Sequence, residues 1–234
     1  MKTPAQEVEY SPIDRLLESG LFTVDSHSDQ TLSVQIYQNL REALLSGTLG
    51  AGDQLNIRPI AAAFGTSTMP VRDAMTRLVV DGGLSALPNR AFVVETVDER
   101  QMRELNLMRL QLEPLAAKFA ATRQSLKSLR KLEDIFDKLN RSSSPTEYLA
   151  QHRAFHFHIY DCADMPFLYS TIETIWLRFG PFMNKAFSFV DVEEENKTHG
   201  RIVSALQSGD PNATATAVEE DLRLAAAKSA FQFS

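Results

Sequence analysis

Apolar residues at Ile36, Leu40, Ala43 and Leu44 recur at the three-to-four spacing of a helix with one buried face, and Gly47 is placed to end it. The following GAGDQLN reads as a turn, and IRPIAAAFG as a short helix that tolerates Pro59 in its first turn. In TSTMPVRDAMTRLVVDGG, Thr66, Ser67 and Thr68 offer an N-cap, Pro70 suits the first turn, and Val71, Met75, Leu78 and Val79 make a buried stripe. Gly82 and Gly83 stop that helix. LSALPNRAFVVETV then alternates into two short strands around Pro88, Asn89 and Arg90, a small hairpin. From Asp98 onward the periodicity is helical throughout and predicts six segments, at about 98–123, 125–140, 145–163, 166–189, 193–208 and 211–231. The fourth is rich in aromatics (Trp176, Phe179, Phe182, Phe187, Phe189) on more than one side, so it must touch more than one neighbour. An antiparallel bundle satisfies that demand.

The predicted fold is therefore mostly α, in three parts: a flexible, polar N-terminal arm over 1–30, with at most a short helix at 13–18; a small helix–helix–helix–hairpin unit over 31–97; and an all-helical bundle of about six helices over 98–234. With 44% hydrophobic residues in 234, the chain has enough apolar side chains for substantial cores. It contains no apolar run of membrane-spanning length and no secretory leader, and its single cysteine, Cys162, excludes an internal disulfide and a thiolate zinc cluster. A cytoplasmic location with no membrane partner fits these features. The net charge of −6 argues superficially against nucleic acid, but its distribution changes the picture. Residues 1–29 carry two basic and six acidic side chains, 30–97 five of each, and 98–234 carry 17 and 19. The middle unit is neutral and can gather its arginines on one face, which is what phosphate binding requires.

Three helices followed by a hairpin form a winged helix-turn-helix, a unit that docks on DNA by placing the N-terminal side chains of one helix in the major groove. Arg72 and Thr76 lie opposite the buried stripe of that helix, with Ser67 and Thr68 at its entry; Arg58 begins the helix before, and Asn89 and Arg90 tip the hairpin. An arginine fork suits both phosphate and guanine. Pattern alone leaves a bland alternative open, in which these are ordinary solvated charges. The elements IYQNLREALLSGTLGAGDQL, IRPIAAAFGTS, MPVRDAMTRLVVDGGL and PNRAFVV, in that order, closely resemble the winged helix-turn-helix of the GntR family of transcription regulators. The resemblance implies that Arg58, Ser67, Arg72, Asn89 and Arg90 approach DNA. Thr68 stands where that family usually has a basic residue, and Ala91 where it has glycine.

Five histidines are present: His27, His152, His156, His158 and His199. His152 and His156 are four apart and share a helical face, whereas His158 points elsewhere. By itself such a pair reads more readily as a coincidental surface or core pair than as a metal site. His199 in KTHGRIVSAL and Asp221 in VEEDLRLAAA lie on other helices able to line the same space, although Asp221 also reads as a solvated member of an acidic run. Three imidazoles and a carboxylate suit a divalent Zn, Ni, Fe or Mn ion. The segments MRLQLEPLAAKFAA, AQHRAFHFHIYDCADMPFL and THGRIVSALQSGDPNAT resemble the helical ligand-binding (FCD) domain of the FadR subfamily, in which an Asp and a His four apart are followed by two later histidines. Laid on this chain, the pattern falls on His152, His156, His199 and Asp221, with carboxylate and imidazole exchanged. Arg109 has two readings: an effector-binding cation that holds a carboxylate together with the metal, or the partner of Glu113 or Glu104 in an ion pair. Phe179 and Phe182 are candidate walls of an effector cavity.

The expectation is a ligand-responsive regulator that binds double-stranded operator DNA as a homodimer and senses a small carboxylate. A hinge is expected at 96–100, where the wing passes into the bundle. The rival is a metal-dependent enzyme using the His and Asp cluster. The sequence has no nucleophile elbow and no phosphate-binding glycine loop to support it.

Overall fold

The computed structural model describes residues 11–20, 23–25, 27–88, 91–187 and 192–230. Among these, ten helices and three short strands follow one another. The first part contains α1 (Pro12–Glu18), α2 (Leu32–Leu45), β1 (Gln54–Asn56), α3 (Ile57–Ala63), α4 (Thr68–Val80), β2 (Leu84–Ala86) and β3 (Ala91–Val94). The second contains α5 (Glu99–Arg123), α6 (Leu126–Arg141), α7 (Pro145–Asp161), α8 (Pro166–Phe187), α9 (Val192–Ser208) and α10 (Pro211–Ala230).

The N-terminal unit is built on α2, whose Ile36, Leu40, Ala43 and Leu44 are wholly buried, as their spacing predicts. Against it α4 turns Val71, Ala74, Met75 and Leu78 inward. Ala74 takes the fourth inner position; Val79, expected there, is only half-buried. The strands form an antiparallel sheet in the order β1-β3-β2, with Leu55 and Ala86 both opposite Phe92. The two strands of the expected hairpin are β2 and β3. β1 replaces part of the expected turn: three residues are too few for an alternating pattern, and pairing with β3, far along the chain, is what makes them a strand. The short helix expected at 13–18 is present as α1, and it is docked on the N-terminal unit. Ser11 and Asp14 form a reciprocal cap at the start of α1, Leu16 is buried in the core shared with α2 and α3, and Arg15 donates from Nε to the Thr48 carbonyl at 2.9 Å and pairs with Asp53. With a single buried leucine, the docking of α1 has no periodic signal in the sequence.

The six helices of the second part match the expected segments closely. α5 lies against α10, α6 packs on α7 and α9, and α5 also meets α7 and α8. No helix among the described residues is long and apolar enough to cross a membrane. The helix α8 is apolar on several sides for a reason the sequence did not disclose: one side faces the bundle, and another seats the N-terminal unit on α2. A Cβ added at Gly180 would lie 2.4 Å from the Leu44 carbonyl oxygen and 2.7 Å from that of Leu45, so only glycine permits this approach. The Ala51 N–H donates to the Pro181 carbonyl at 3.1 Å. Two ion pairs flank the contact, Arg41 with Glu173 and Arg153 with Glu42, each at 2.9 Å.

Candidate nucleic-acid interface and metal centre

The entry to α4 is open to solvent. Ser67 is its N-cap, but the Ser67 hydroxyl makes no capping hydrogen bond. Ser67, Thr68 and Thr76 are exposed, Arg72 is half-buried, and Arg58 is exposed at the start of α3. Neither Arg58 nor Arg72 forms an ion pair among the described residues, whereas Arg15, Arg41 and Arg153 each do. Their charges remain available to phosphate or guanine. Asn89 and Arg90 lie outside the described residues. Arg77 is on the same helix but stacks 4.0 Å over the Tyr37 ring, whose hydroxyl donates to Asp81 at 2.6 Å, so it braces the unit. Sequence reasoning missed Met69, which is 64% exposed in the first turn of α4. A large apolar side chain in that position can meet a thymine methyl.

Within the bundle, His152 and His156 on α7, His199 on α9 and Asp221 on α10 converge, all buried. The ring centroids of His152 lie 4.5 Å from His156 and 5.2 Å from His199, and those of His156 and His199 are 5.4 Å apart. Asp221 reaches both neighbours, its Oδ2 3.6 Å from His156 Nε2 and its Oδ1 3.5 Å from His199 Nε2. Asp221 is thus a member of the cluster and not of a solvated run. The three imidazoles offer donor atoms within 4.8 Å of one another. Donors on opposite sides of one ion sit about 4.2 Å apart when each bond is about 2.1 Å. The arrangement fits a single ion with little adjustment.

Hydrogen bonding fixes the state of His156. The Tyr160 hydroxyl donates to Glu113 Oε2 at 2.5 Å and lies 3.2 Å from His156 Nδ1. Tyr160 has only one proton, so His156 Nδ1–H must be the donor to its oxygen. Nε2 then carries a lone pair, is fully buried, and makes no hydrogen bond. Burial, followed by the neighbouring His152, His199 and Arg109, holds His156 well below the usual imidazole range, while burial and Glu113 push the Tyr160 hydroxyl well above its own. A neutral, oriented imidazole backed by a second hydrogen-bonded group is the form that ligates metal. His158 turns away, and its Nε2 meets the Ser128 carbonyl at 2.9 Å.

Beneath the cluster, Arg109 Nε donates to Glu113 Oε1 at 2.7 Å, and Trp176 Nε1 donates to the same oxygen at 2.8 Å. The ion-pair reading of Arg109 is therefore correct, with Glu113 and not Glu104 as partner. It does not exhaust the residue, because the buried Nη1 has no hydrogen-bond partner. The guanidinium lies 3.6 Å over the ring of Phe179 and 5.0 Å from that of Trp176. Phe182 packs near Ala51 and Met102, toward the N-terminal unit.

A fifth candidate donor escaped the sequence reading. Glu195 on α9 is buried, and its carboxylate groups with His199 and Asp221 within 4.8 Å. The available signal was its spacing of four from His199, hidden in a run of three glutamates.

Comparison with known proteins gives concordant results. Residues 32–94 match the gntR family of bacterial regulatory proteins, and residues 104–224 match the FCD domain. The HTH-type transcriptional regulator McbR of Escherichia coli K12 is 30% identical over 186 residues, 77% of this chain and 84% of that protein. The HTH-type transcriptional repressor RspR of the same strain is 24% identical over 198 residues, 83% of this chain and 87% of its own. The solved structure of E. coli McbR/YncC superposes with a TM-score of 0.82 at 27% identity, covering 88% of this chain and 100% of that one. A putative GntR regulator from Rhodococcus sp. RHA1 gives a TM-score of 0.68 at 20% identity over 84% of this chain and 96% of that one, a likeness of fold. McbR and RspR are both named as transcription regulators, in line with the regulator reading of the sequence.

Proposed function

Since the chain belongs to the GntR family of bacterial regulatory proteins and carries an FCD effector-binding domain behind a DNA-binding helix-turn-helix, we propose that it is a cytoplasmic homodimer whose operator affinity is set by a small organic acid on a metal ion. His152, His156, His199 and Asp221 hold the ion, a divalent Zn, Ni, Fe or Mn. The observation that carries the reading is His156 Nε2, a fully buried lone pair without a hydrogen bond, facing the other members of the cluster. When bound, the ion supplies a Lewis-acidic anchor for one carboxylate oxygen. Arg109 Nη1 is the protein group for the other, since a buried guanidinium N–H needs an acceptor.

On the DNA side, Arg58, Ser67, Thr68, Arg72 and Thr76 engage the major groove and its phosphates, and Asn89 and Arg90 at the wing complete the contact. A pair of such readers requires a dyad. Leu107, Met108 and Leu115 leave apolar surface exposed on α5, which a second copy is suited to cover. Coupling runs through α8. Its Trp176 ring lies 5.8 Å from that of His156 and its Nε1 donates to Glu113, while the next two residues, Leu177 and Arg178, lie against Gly83 and Gly82 at the end of α4. The connection at 96–100 serves as the hinge. An effector that prefers one setting of α8 then shifts the readers by its differential affinity.

The test combines metal analysis with DNA retention. Protein purified without chelator should carry one ion per chain, His156→Ala should lose it, and His158→Ala should keep it. The wild-type protein should also prefer its own promoter fragment over random duplex, with affinity falling as salt rises. A metal-free wild type removes the ion, and an absence of promoter preference removes the reader.

A further inference from the structure

Three consecutive glutamates open α9, and they are not equivalent. Glu193 and Glu194 are exposed and pair with Lys197 at 3.0 and 3.7 Å. Glu195 turns inward, 8% exposed, one helical turn before His199. Its carboxylate falls within 4.8 Å of the donor atoms of His199 and Asp221. His199 also belongs to the group formed with His152 and His156, and Asp221 lies within 3.6 Å of the donor nitrogens of both His156 and His199. The two groups are one cluster joined at His199 and Asp221. The charges of Glu195 and Asp221 also act on the same neighbour, since both push the buried Tyr148 hydroxyl upward after burial itself.

Two carboxylates in one buried cluster repel each other, and burial removes the water that would screen them. A dication between them turns that repulsion into two attractive contacts. Resting on the metal reading above, we infer that Glu195 is a fifth donor, so that the centre consists of three imidazoles and two carboxylates. Two features of the ion follow. The two carboxylates balance a divalent charge within the cluster. Five protein donors also exceed the four of a closed tetrahedral zinc site, so the centre favours ions that accept six oxygen and nitrogen ligands, Mn, Fe or Ni, more than three imidazoles and one carboxylate would. One position then remains for an effector oxygen.

Full-length protein, stripped with chelator and titrated with Mn²⁺ and Zn²⁺ against a chromophoric competitor, tests the assignment. Glu195→Gln should keep a stoichiometry of one ion but weaken Mn²⁺ binding by about tenfold or more, with a smaller loss for Zn²⁺; Glu195→Asp should fall between it and the wild type. Anomalous diffraction from metal-loaded wild-type crystals checks the same point without any substitution: a Glu195 oxygen should lie about 2.0–2.2 Å from the ion. Unchanged affinities in a folded Glu195→Gln protein, or a Glu195 carboxylate well outside bonding distance, would overturn the fifth donor while leaving the four-donor site intact. A wild type that binds neither ion would overturn both.

Discussion

His156 illustrates how burial converts a common side chain into a poised one. Its folded-state pKa lies below the usual 6.5, with burial the largest cause and the neighbouring imidazoles and Arg109 next. Below pH 6.5 the unfolded chain binds a proton at this position that the folded chain refuses. Stability from this group is therefore complete above that value and lost as pH falls toward and through the lowered pKa. Chelator-treated protein should show a steady melting temperature above about pH 7 and a decline below about pH 6.5. His156→Gln should flatten that decline; a wild-type melting temperature indifferent to pH across this window would contradict the assignment. On the DNA face, Arg72 has no competing carboxylate among the described residues, so Arg72→Ala should weaken operator binding by about 1–3 kcal/mol in a mobility-shift titration. Unchanged affinity in the folded variant would take Arg72 out of the interface. The legibility of these residues varied for physical reasons. The pairing of His152 with His156 follows from helical spacing, and Arg72 from its position opposite a buried stripe. His199 and Asp221 could be placed only on helices able to line the same space, with a family pattern to select them, because spacing within one helix says nothing about which helices meet. Glu195 was lost inside an acidic run whose inner member is identified by packing alone.

At the scale of elements, strong periodicity was readable and tertiary dependence was not. The helices α2 and α4–α10 announce themselves by repeated apolar positions, by stops at Gly47 and Gly82, and by starts at Pro145, Pro166 and Pro211. β1 and α1 do not. β1 exists because Leu55 finds Phe92 across the sheet, and α1 because one leucine and one arginine find a surface to dock on. Each is a short segment whose local preference is settled by a distant partner. The helix α8 shows the same limit in another form. Its aromatics on several sides indicated more than one neighbour, and one of those neighbours proved to be the reader domain itself. The reason for Gly180 inside a helix lies outside that helix, in the Leu44 and Leu45 carbonyls packed against it.

For the molecule as a whole, the central question is how a buried cluster in the bundle can influence the helix-turn-helix unit. A loose tether at 96–100 would let the reader swing independently of the bundle. The contacts oppose that picture: α8 holds the N-terminal unit by close backbone approach to α2, by the hydrogen bond from Ala51 to Pro181 and by the ion pair of Arg41 with Glu173, and α7 adds the pair of Arg153 with Glu42. Packed interfaces of this kind move between discrete settings more readily than they deform. If the ion and its ligands bias α8, stripping the metal from the wild type should change operator affinity by about 1–3 kcal/mol, several-fold to a hundredfold. Gly180→Val forces α8 away from α2, since even a single Cβ there meets backbone oxygen. The variant should still bind one ion, because the cluster residues lie elsewhere, and should still retain DNA, because the α4 face is untouched. What it should lose is the difference between metal-loaded and stripped protein in the mobility shift. A Gly180→Val protein that keeps the full metal response would show that the signal bypasses α8 and travels through the chain connection between wing and bundle.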